Sequence, residues 1–507
     1  MSKIKEGDVL EGIIEFSASG NASIKIGEKE LFIHKKRTLN ALHMDVVKVE
    51  TFRAEKKLEA KVTDVISRNR TEFVGTAQIT KSTTFVVADS SRIAADFYIS
   101  EKDKMGAENG QKVLVEFIDW KIGSKSPKAK IVKILGETGE NNAEMNAIMH
   151  EYGLPVDFPQ EVINESVVIP EVITEKEIEK RRDMRHITTI TIDPVDAKDF
   201  DDAISIDRSD PNIIEIGVHI ADVAHYVKQE TELDKEAYKR GTSVYLVDRC
   251  VPMLPERLSN GICSLKPNED RLAFSVVFKM DRDGKIKDTW YGRTVIHSDR
   301  RYAYEDAQEI IEGKDGDYCE EIRILDDIAI KMRKVRIKEG SIEIGGVEVK
   351  FKLAEDNKKP IGVYFKEQKE ANKLIEEYML LANKAVAKFI KSKGLSNVNR
   401  VHGKPDDAKL LQVKKIADNF GYEIDISNPE TTKEEINKLI KSIKDTPEEN
   451  LINTLIIRAQ KKAIYSTDNE TGHYGLGFEG GEYCHFTSPI RRYSDICVHR
   501  ILEKLCE

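Results

Sequence analysis

The sequence predicts a multidomain chain in which two small β-barrels in tandem precede a larger α+β domain. Three observations carry that reading. At 507 residues the chain is too long for one core and suggests roughly three domains. Short alternating runs separated by turn residues fill the N-terminal quarter, and their pattern occurs twice. From Ile187 onward the texture changes to mixed strands and long amphipathic helices.

In the first barrel the runs are Val9–Ile14, Leu31–Ile33 and Val46–Val49; in the second they are Thr84–Val87, Phe97–Ile99 and Val113–Phe117. Strands of this length and spacing suit small barrels of the OB-fold/cold-shock kind. The expected bounds are 1–65 and 66–137, followed by a helical linker over 138–185 and a final domain over 186–507. Helical periodicity is expected at Ala143–Glu151 and Thr174–Arg182 in the linker. In the last domain it is expected at Leu374–Ser392, Glu434–Ser442, Pro447–Ile464 and Ile496–Leu505.

Composition narrows the class. A hydrophobic fraction of 40% and a charged fraction of 33% are ordinary for a folded protein. No apolar run approaches the roughly 20 residues that span a bilayer, so no membrane partner is expected. The start, Met1-Ser2-Lys3-Ile4-Lys5-Glu6, has no apolar core, so a secretory signal is not expected. Six scattered cysteines without a CxxC pair read as free thiols in a reducing compartment, the cytoplasm. A net charge of −9 speaks mildly against a nucleic-acid coat protein but not against an enzyme with a local basic channel.

The densest chemistry lies in Thr191–Asp207, where Asp193, Asp196, Asp199, Asp201 and Asp202 crowd together. Ile190 and Ile192 alternate before this stretch and Ile204 and Ile206 after it, so the carboxylates join two half-buried strands, with Pro194 fixing the turn. Such crowding is relieved by a hard cation, and Mg²⁺ in particular takes a few carboxylates together with water and phosphate oxygens. A solvated acidic loop and a structural Ca²⁺ loop are the alternatives on residue types alone. The EF-hand register fails, with neither the mid-loop Gly nor the closing Glu in place.

Later segments add to this. His219, Asp222 and His225 have ligand-like spacing, yet they flank a strand-to-helix corner and are expected to orient the acidic loop. In His485–Asp495, Pro489 suits the start of a helix whose free N–H groups face phosphate, and an arginine there can clamp phosphate oxygens. Gly475–Gly480 satisfies GxGxxG without a surrounding βαβ unit, so it reads as a close backbone approach to the substrate or to the acidic loop.

The run from Asp193 to Asp202 resembles the catalytic signature of the ribonuclease II/R (RNB) family, and the later motifs follow in that family's order. The resemblance implies an RNB catalytic domain that binds single-stranded RNA by its 3′ end. It also implies hydrolysis with Mg²⁺ to nucleoside 5′-monophosphates. Asp193, Asp199, Asp201 and Asp202 match its metal ligands, with Asp196 left to solvent. Arg491 matches its catalytic arginine, which with Asp201 makes the catalytic pair; Arg492 either helps or forms a surface ion pair. Tyr245 matches the aromatic that stacks on the 3′-terminal nucleotide, and Tyr304 and Glu376 match residues near it, with Glu377 as the alternative to Glu376. In the first barrel Phe32, Lys35 and Lys36 keep an aromatic-plus-basic RNA-binding strand.

The paired Arg491-Arg492 and the tandem barrels place the resemblance nearer ribonuclease R than ribonuclease II. Three departures stand out. No helical segment precedes the barrels, and Asn21–Ile26 lacks the glycine and aromatics of a cold-shock strand. The chain also stops at Glu507, ahead of the remaining catalytic domain and an S1-type barrel, so a shortened chain is expected. A monomer is expected, with no DNA partner. The rivals are a non-catalytic RNA binder and a DNA-acting or endonucleolytic phosphodiesterase.

Overall fold

A computed structural model describes residues 4–27, 29–54, 57–93, 95–345, 347–354 and 360–506. Residues 1–3 and Glu507, the outer limits of the N-terminal reading and of the last domain, lie outside the described residues. The chain divides into two compact units. One takes in Met1–Asp157 with Leu246–Arg249 and Phe351–Val363; the other takes in Phe158–Tyr245, Cys250–Lys350 and Tyr364–Glu507.

The first unit holds two closed five-stranded barrels with one ring order, in which the third and fifth strands lie side by side. The first barrel runs from Val9–Phe16 to Lys57–Ser67 and the second from Glu72–Ile79 to Lys128–Glu137. In each the short third strand closes the ring by parallel pairing with the fifth, Phe32 opposite Glu59 and Tyr98 opposite Lys128. Period-2 alternation sends Ile14, Ile24, Ile33 and Val47 into one core and Phe73, Val86, Phe97 and Val113 into the other. Each such buried side chain contributes about 1.5–3 kcal/mol relative to exposure. The helix Asn141–Glu151 then seats Ala147 against Val74, Leu114 and Leu135 of the second barrel.

The second unit is built on a seven-stranded sheet. Its order is Arg182–Asp183, Ile286–His297, Asp270–Met280, Ile214–Ala221, Asp202–Asp207, Thr189–Asp193 and Arg300–Ala303. One face packs on the helices Tyr304–Ile311, Cys319–Lys338 and Glu370–Ser392 through Phe274, Phe278, Ile328 and Tyr378. The other face is covered by Leu233, Ala237, Met253, Leu254 and Leu258. Because both faces are covered, Thr189–Ile192 and Ala203–Ile206 are buried throughout and not half-buried as their alternation suggested. The last helix, Tyr493–Cys506, serves both cores, with Val498 and Leu502 on one side and Ile496 on the other. Three helices, Asp407–Asn419, Thr432–Ser442 and Glu449–Ala459, form a satellite core of their own around Ile436, Ile452 and Ile456.

Several helix expectations need correction. Thr174–Arg182 is helical only at Glu175–Ile178, because Arg181 is drawn into the core by Asp222 at 2.8 Å and Arg182 opens an edge strand. Pro447–Ile464 is helical only over Glu449–Ala459, and Ile464 begins a strand. The helices Gln160–Val168 and Cys319–Lys338 were not foreseen. Among the described residues no helix is long and apolar enough to cross a membrane.

Candidate active site

The acidic loop spans the gap between two adjacent, antiparallel interior strands of the sheet, Thr189–Asp193 and Asp202–Asp207. Asp193 is the last residue of one and Asp202 the first of the next, so rigid neighbours fix both carboxylates. Between them the loop is pinned along its length. The Arg301 guanidinium donates to the carbonyls of Pro194 and Val195 at 2.8 and 2.7 Å and lies 5.1 Å over the Phe200 ring. Ser264 Oγ accepts from Phe200 N at 3.0 Å and donates to the Lys198 carbonyl at 2.7 Å. Ala221 N donates to the Asp201 carbonyl at 2.9 Å.

Asp201 is only 4% exposed, which no solvated loop would produce, whereas Asp196 is open to solvent. The Ile490 N–H donates to Asp201 Oδ1 at 2.8 Å, and Arg491 Nε lies 3.4 Å from Oδ2. Burial pushes the Asp201 carboxyl up to about 8 despite Arg491 and the Ile490 N–H. Burial, and then repulsion from Asp202 and Asp201, raise Asp193 to about 8, and its Oδ2 is buried without a hydrogen-bond partner. Burial takes Asp202 to about 6 against the pull of Arg491 and Arg492.

Among the described residues, no three His, Cys, Asp or Glu side chains are already drawn into a metal cage. Yet an orphaned buried carboxylate oxygen among crowded aspartates fits a hard cation that completes its shell with water and phosphate oxygens. The residues that would hold it are Asp193, Asp199, Asp201 and Asp202.

The structure brings Tyr245 to this loop: its hydroxyl donates to Asp199 Oδ2 at 3.0 Å while the ring stays 55% exposed. Burial, and then the fields of Asp202 and Asp193, push the Tyr304 phenol above its usual range, with Glu376 adding to the effect. Of the two glutamates, Glu377 is buried and paired with Arg336, whereas Glu376 is exposed. In the first barrel, Phe32 is 44% exposed and Lys35 and Lys36 follow on an exposed 3₁₀ turn.

The arginine segment corrects the sequence reading. Its helix starts at Tyr493, and Pro489 lies in the preceding turn, so Pro489 opens no helix. The turn is closed by the buried Asp495, which accepts from Ser488 N at 2.8 Å and from Arg492 at 2.7 Å. Arg492 is therefore held in an internal ion pair and not in a surface one. Arg491 is pinned through its backbone, its carbonyl accepting from Thr242 Oγ1 at 2.8 Å and Ser243 N at 3.0 Å. Its side chain stays 43% exposed and donates to Ser488 Oγ at 3.0 Å.

His219, Asp222 and His225 each meet partners within the fold. His219 bridges Ser205 and Ser275, each at 2.7 Å, and burial takes it down to about 3. Gly217 makes room for that ring, because a Cβ there would lie 2.4 Å from His219 Nε2. Burial would raise Asp222, but Arg181 and Arg293 hold it down to about 2. His225 shares that ion-pair group through Arg181 at 3.2 Å. The backbone of this corner, through Ala221, touches the acidic loop. Within the GxGxxG stretch the nearest neighbours lie in the protein, and Gly475 packs against His402. Gly477, at φ +71°, packs against the Gly340–Ser341 backbone, and Gly480 against Glu470. Reasoning from sequence missed Arg301 and Ser264 as loop clamps. Nothing in residue type betrays a carbonyl fork.

Residues 181–507 match the RNB domain and residues 85–159 a cold shock domain. Ribonuclease R of Thermotoga maritima is 38% identical over 99% of this chain and 71% of its own length. A Mycoplasma genitalium RNase R solved with ribose-methylated single-stranded RNA superposes with a TM-score of 0.90 at 26% identity. It covers 97% of this chain and 79% of its own. The same enzyme solved with double-stranded RNA superposes at 0.82, again at 26% identity, over 92% of this chain and 80% of its own.

Proposed function

The chain belongs to the RNB-domain family of ribonucleases, and from that premise we propose how its residues perform the reaction. It is a hydrolytic exoribonuclease that shortens RNA from the 3′ end and releases nucleoside 5′-monophosphates. The observation that carries the mechanism is the buried acidic loop facing an arginine that shares its charge: Asp201 accepts from Ile490 N–H while Arg491 stands at 3.4 Å.

The residues divide the work. Asp193, Asp199, Asp201 and Asp202 would hold Mg²⁺. When bound, Mg²⁺ supplies a water of lowered pKa and neutralises charge on the phosphodiester. Tyr245 presents its ring to the terminal base and uses its hydroxyl to fix Asp199, so that stacking and the acidic loop share one register. Tyr304 and the exposed Glu376 flank the terminal nucleotide, where a carboxylate can accept from a ribose 2′-OH. Arg491, pinned by its carbonyl and partly open, extends its guanidinium to the phosphate oxygens as charge builds on them. Asp201 is catalytic in the sense that its buried carboxylate would help to hold the metal, with the Ile490 N–H fixing that carboxylate and the Ala221 N–H fixing its backbone carbonyl.

On the first barrel, Phe32, Lys35 and Lys36 offer an aromatic-plus-basic surface for single-stranded RNA. The proposed domains are barrels at 1–65 and 66–137, a linker at 138–185 and the catalytic domain from 186. A monomer acting in the cytoplasm fits six free cysteines. The test is product identity. RNA and DNA of one sequence are incubated with the chain and Mg²⁺, and the products are identified by mass spectrometry. Nucleoside 5′-monophosphates from RNA alone are expected; oligonucleotide fragments, or equal digestion of DNA, would overturn the reading.

A further inference from the structure

We propose that Tyr465 and Arg400 form a second platform for single-stranded RNA, taking nucleotides that precede the terminal one held at the acidic loop. The inference rests on the ribonuclease reading above. The short strands Asn399–Val401 and Ile464–Ser466 pair antiparallel with Arg400 directly opposite Tyr465. The guanidinium carbon lies over the tyrosine ring, 4.7 Å from its centre, so a flat cation caps one π-face and a base would stack on the opposite one. Packing does not call for this arrangement. Tyr465 is 42% exposed and Ile464 58%, and neither belongs to the neighbouring core of the three helices.

The surroundings suit a polyanion. Lys461 and Lys462 precede Tyr465 on the same exposed stretch, and the exposed Lys404 follows Arg400. An aromatic ring among lysines and an arginine is the chemistry that stacks unpaired bases and tracks their phosphates, without regard to sequence. Paired bases would hide the faces that such a ring needs, which favours a single strand.

The platform is also tied to the reaction centre. The Tyr465 hydroxyl shares a hydrogen bond of 2.8 Å with His485 Nδ1. Arg400 N donates to the Tyr483 carbonyl at 2.9 Å, two residues ahead of His485. His485 opens the run that ends at Ile490 and Arg491, the segment that faces Asp201. Nucleotides stacked on Tyr465 would therefore lie in register with the arginine that meets the terminal phosphate.

The experiment measures binding by fluorescence anisotropy in EDTA, which prevents cleavage. Two labelled single-stranded RNAs are used: a very short one that fills only the terminal site, and a longer one. Tyr465→Ala is expected to weaken the longer strand about 5- to 100-fold, the range of one lost stacking contact, and to leave the short one unchanged. Arg400→Gln should weaken the longer strand selectively as well. Tyr465→Phe keeps the ring and loses only the bond to His485, so it should bind as the unaltered chain does. Equal losses for Phe and Ala, or equal losses on both lengths, would make Tyr465 a brace for the His485 segment and overturn the platform. Unchanged binding of the longer strand by Tyr465→Ala and Arg400→Gln would overturn it as well. If the unaltered chain binds neither RNA, the ribonuclease reading itself fails and takes the platform with it.

Discussion

Arg491→Ala separates catalysis from folding more cleanly than any other change at the site. Its backbone is anchored independently of the side chain, through Thr242 Oγ1 at 2.8 Å and Ser243 N at 3.0 Å. What the truncation removes is one ion pair with Asp201 at 3.4 Å and one hydrogen bond to Ser488 at 3.0 Å, from a side chain 43% exposed. A pair that open to water is worth about 0–1 kcal/mol after screening, so Tm should move by about 2–4 °C at most. In the transition state the same guanidinium meets developing charge in a partly enclosed site. Losing one such donor costs about 2.7–4 kcal/mol, or about 100- to 1,000-fold in rate. Removing the cation also frees Asp201, so stabilisation of the chain by Mg²⁺ should be kept or increased. Single-turnover cleavage of a 3′-labelled RNA and thermal unfolding, both with and without Mg²⁺, read these three effects. Arg491→Lys should recover part of the rate, because a point charge replaces the fork. A rate loss below about tenfold, or a fall in Tm large enough to explain the rate, would refute the assignment.

Further outcomes follow from the same geometry. With Asp193 and Asp201 near 8 and Asp202 near 6 in the folded metal-free chain, against about 3.9 unfolded, the folded state binds protons more tightly. Metal-free stability should therefore fall as pH rises from about 4 through about 8, and Mg²⁺ should restore it most at the alkaline end. Thermal unfolding across that range checks this, and a Mg²⁺ effect independent of pH would contradict it. Tyr245→Phe should cost little beyond its 3.0 Å bond to Asp199, whereas Tyr245→Ala should weaken RNA binding about 5- to 100-fold; equal losses would deny the stack. Arg301→Gln loosens the fork on Pro194 and Val195, so Mg²⁺ affinity read from thermal shifts should fall about 10- to 100-fold, with RNA affinity in EDTA unchanged. A parallel loss of RNA affinity would show instead that Arg301 touches the nucleic acid.

The barrels and the acidic loop were legible because each depends on local chemistry. Alternation with period 2 specifies a strand face, and five aspartates between two β-branched runs leave few structures other than a loop between strands. Long-range partners were not legible. Arg301 reaches a loop more than a hundred residues earlier, and Asp201 meets Ile490 across 289 residues, contacts that no local pattern encodes. Likewise the short Glu175–Ile178 helix stops where Arg181 is captured by Asp222, a tertiary event overriding a run of good helix formers. Glu376 and Glu377 are equivalent by type and are told apart by the fold, which buries Glu377 against Arg336 and leaves Glu376 exposed. Pro489 looked like a helix start because proline favours that position, but Asp495 closes a turn in front of the helix instead.

The central claim is that the acidic loop and Arg491 remove nucleotides from an RNA 3′ end. It is tested most directly on a sequencing gel with 5′-labelled single-stranded RNA, Mg²⁺ and an Asp201→Asn control. The account predicts a ladder shortening one nucleotide at a time to a short end product, abolished by EDTA and by Asp201→Asn. Intact RNA that is only retarded on a native gel, or cleavage that survives Asp201→Asn, would contradict it.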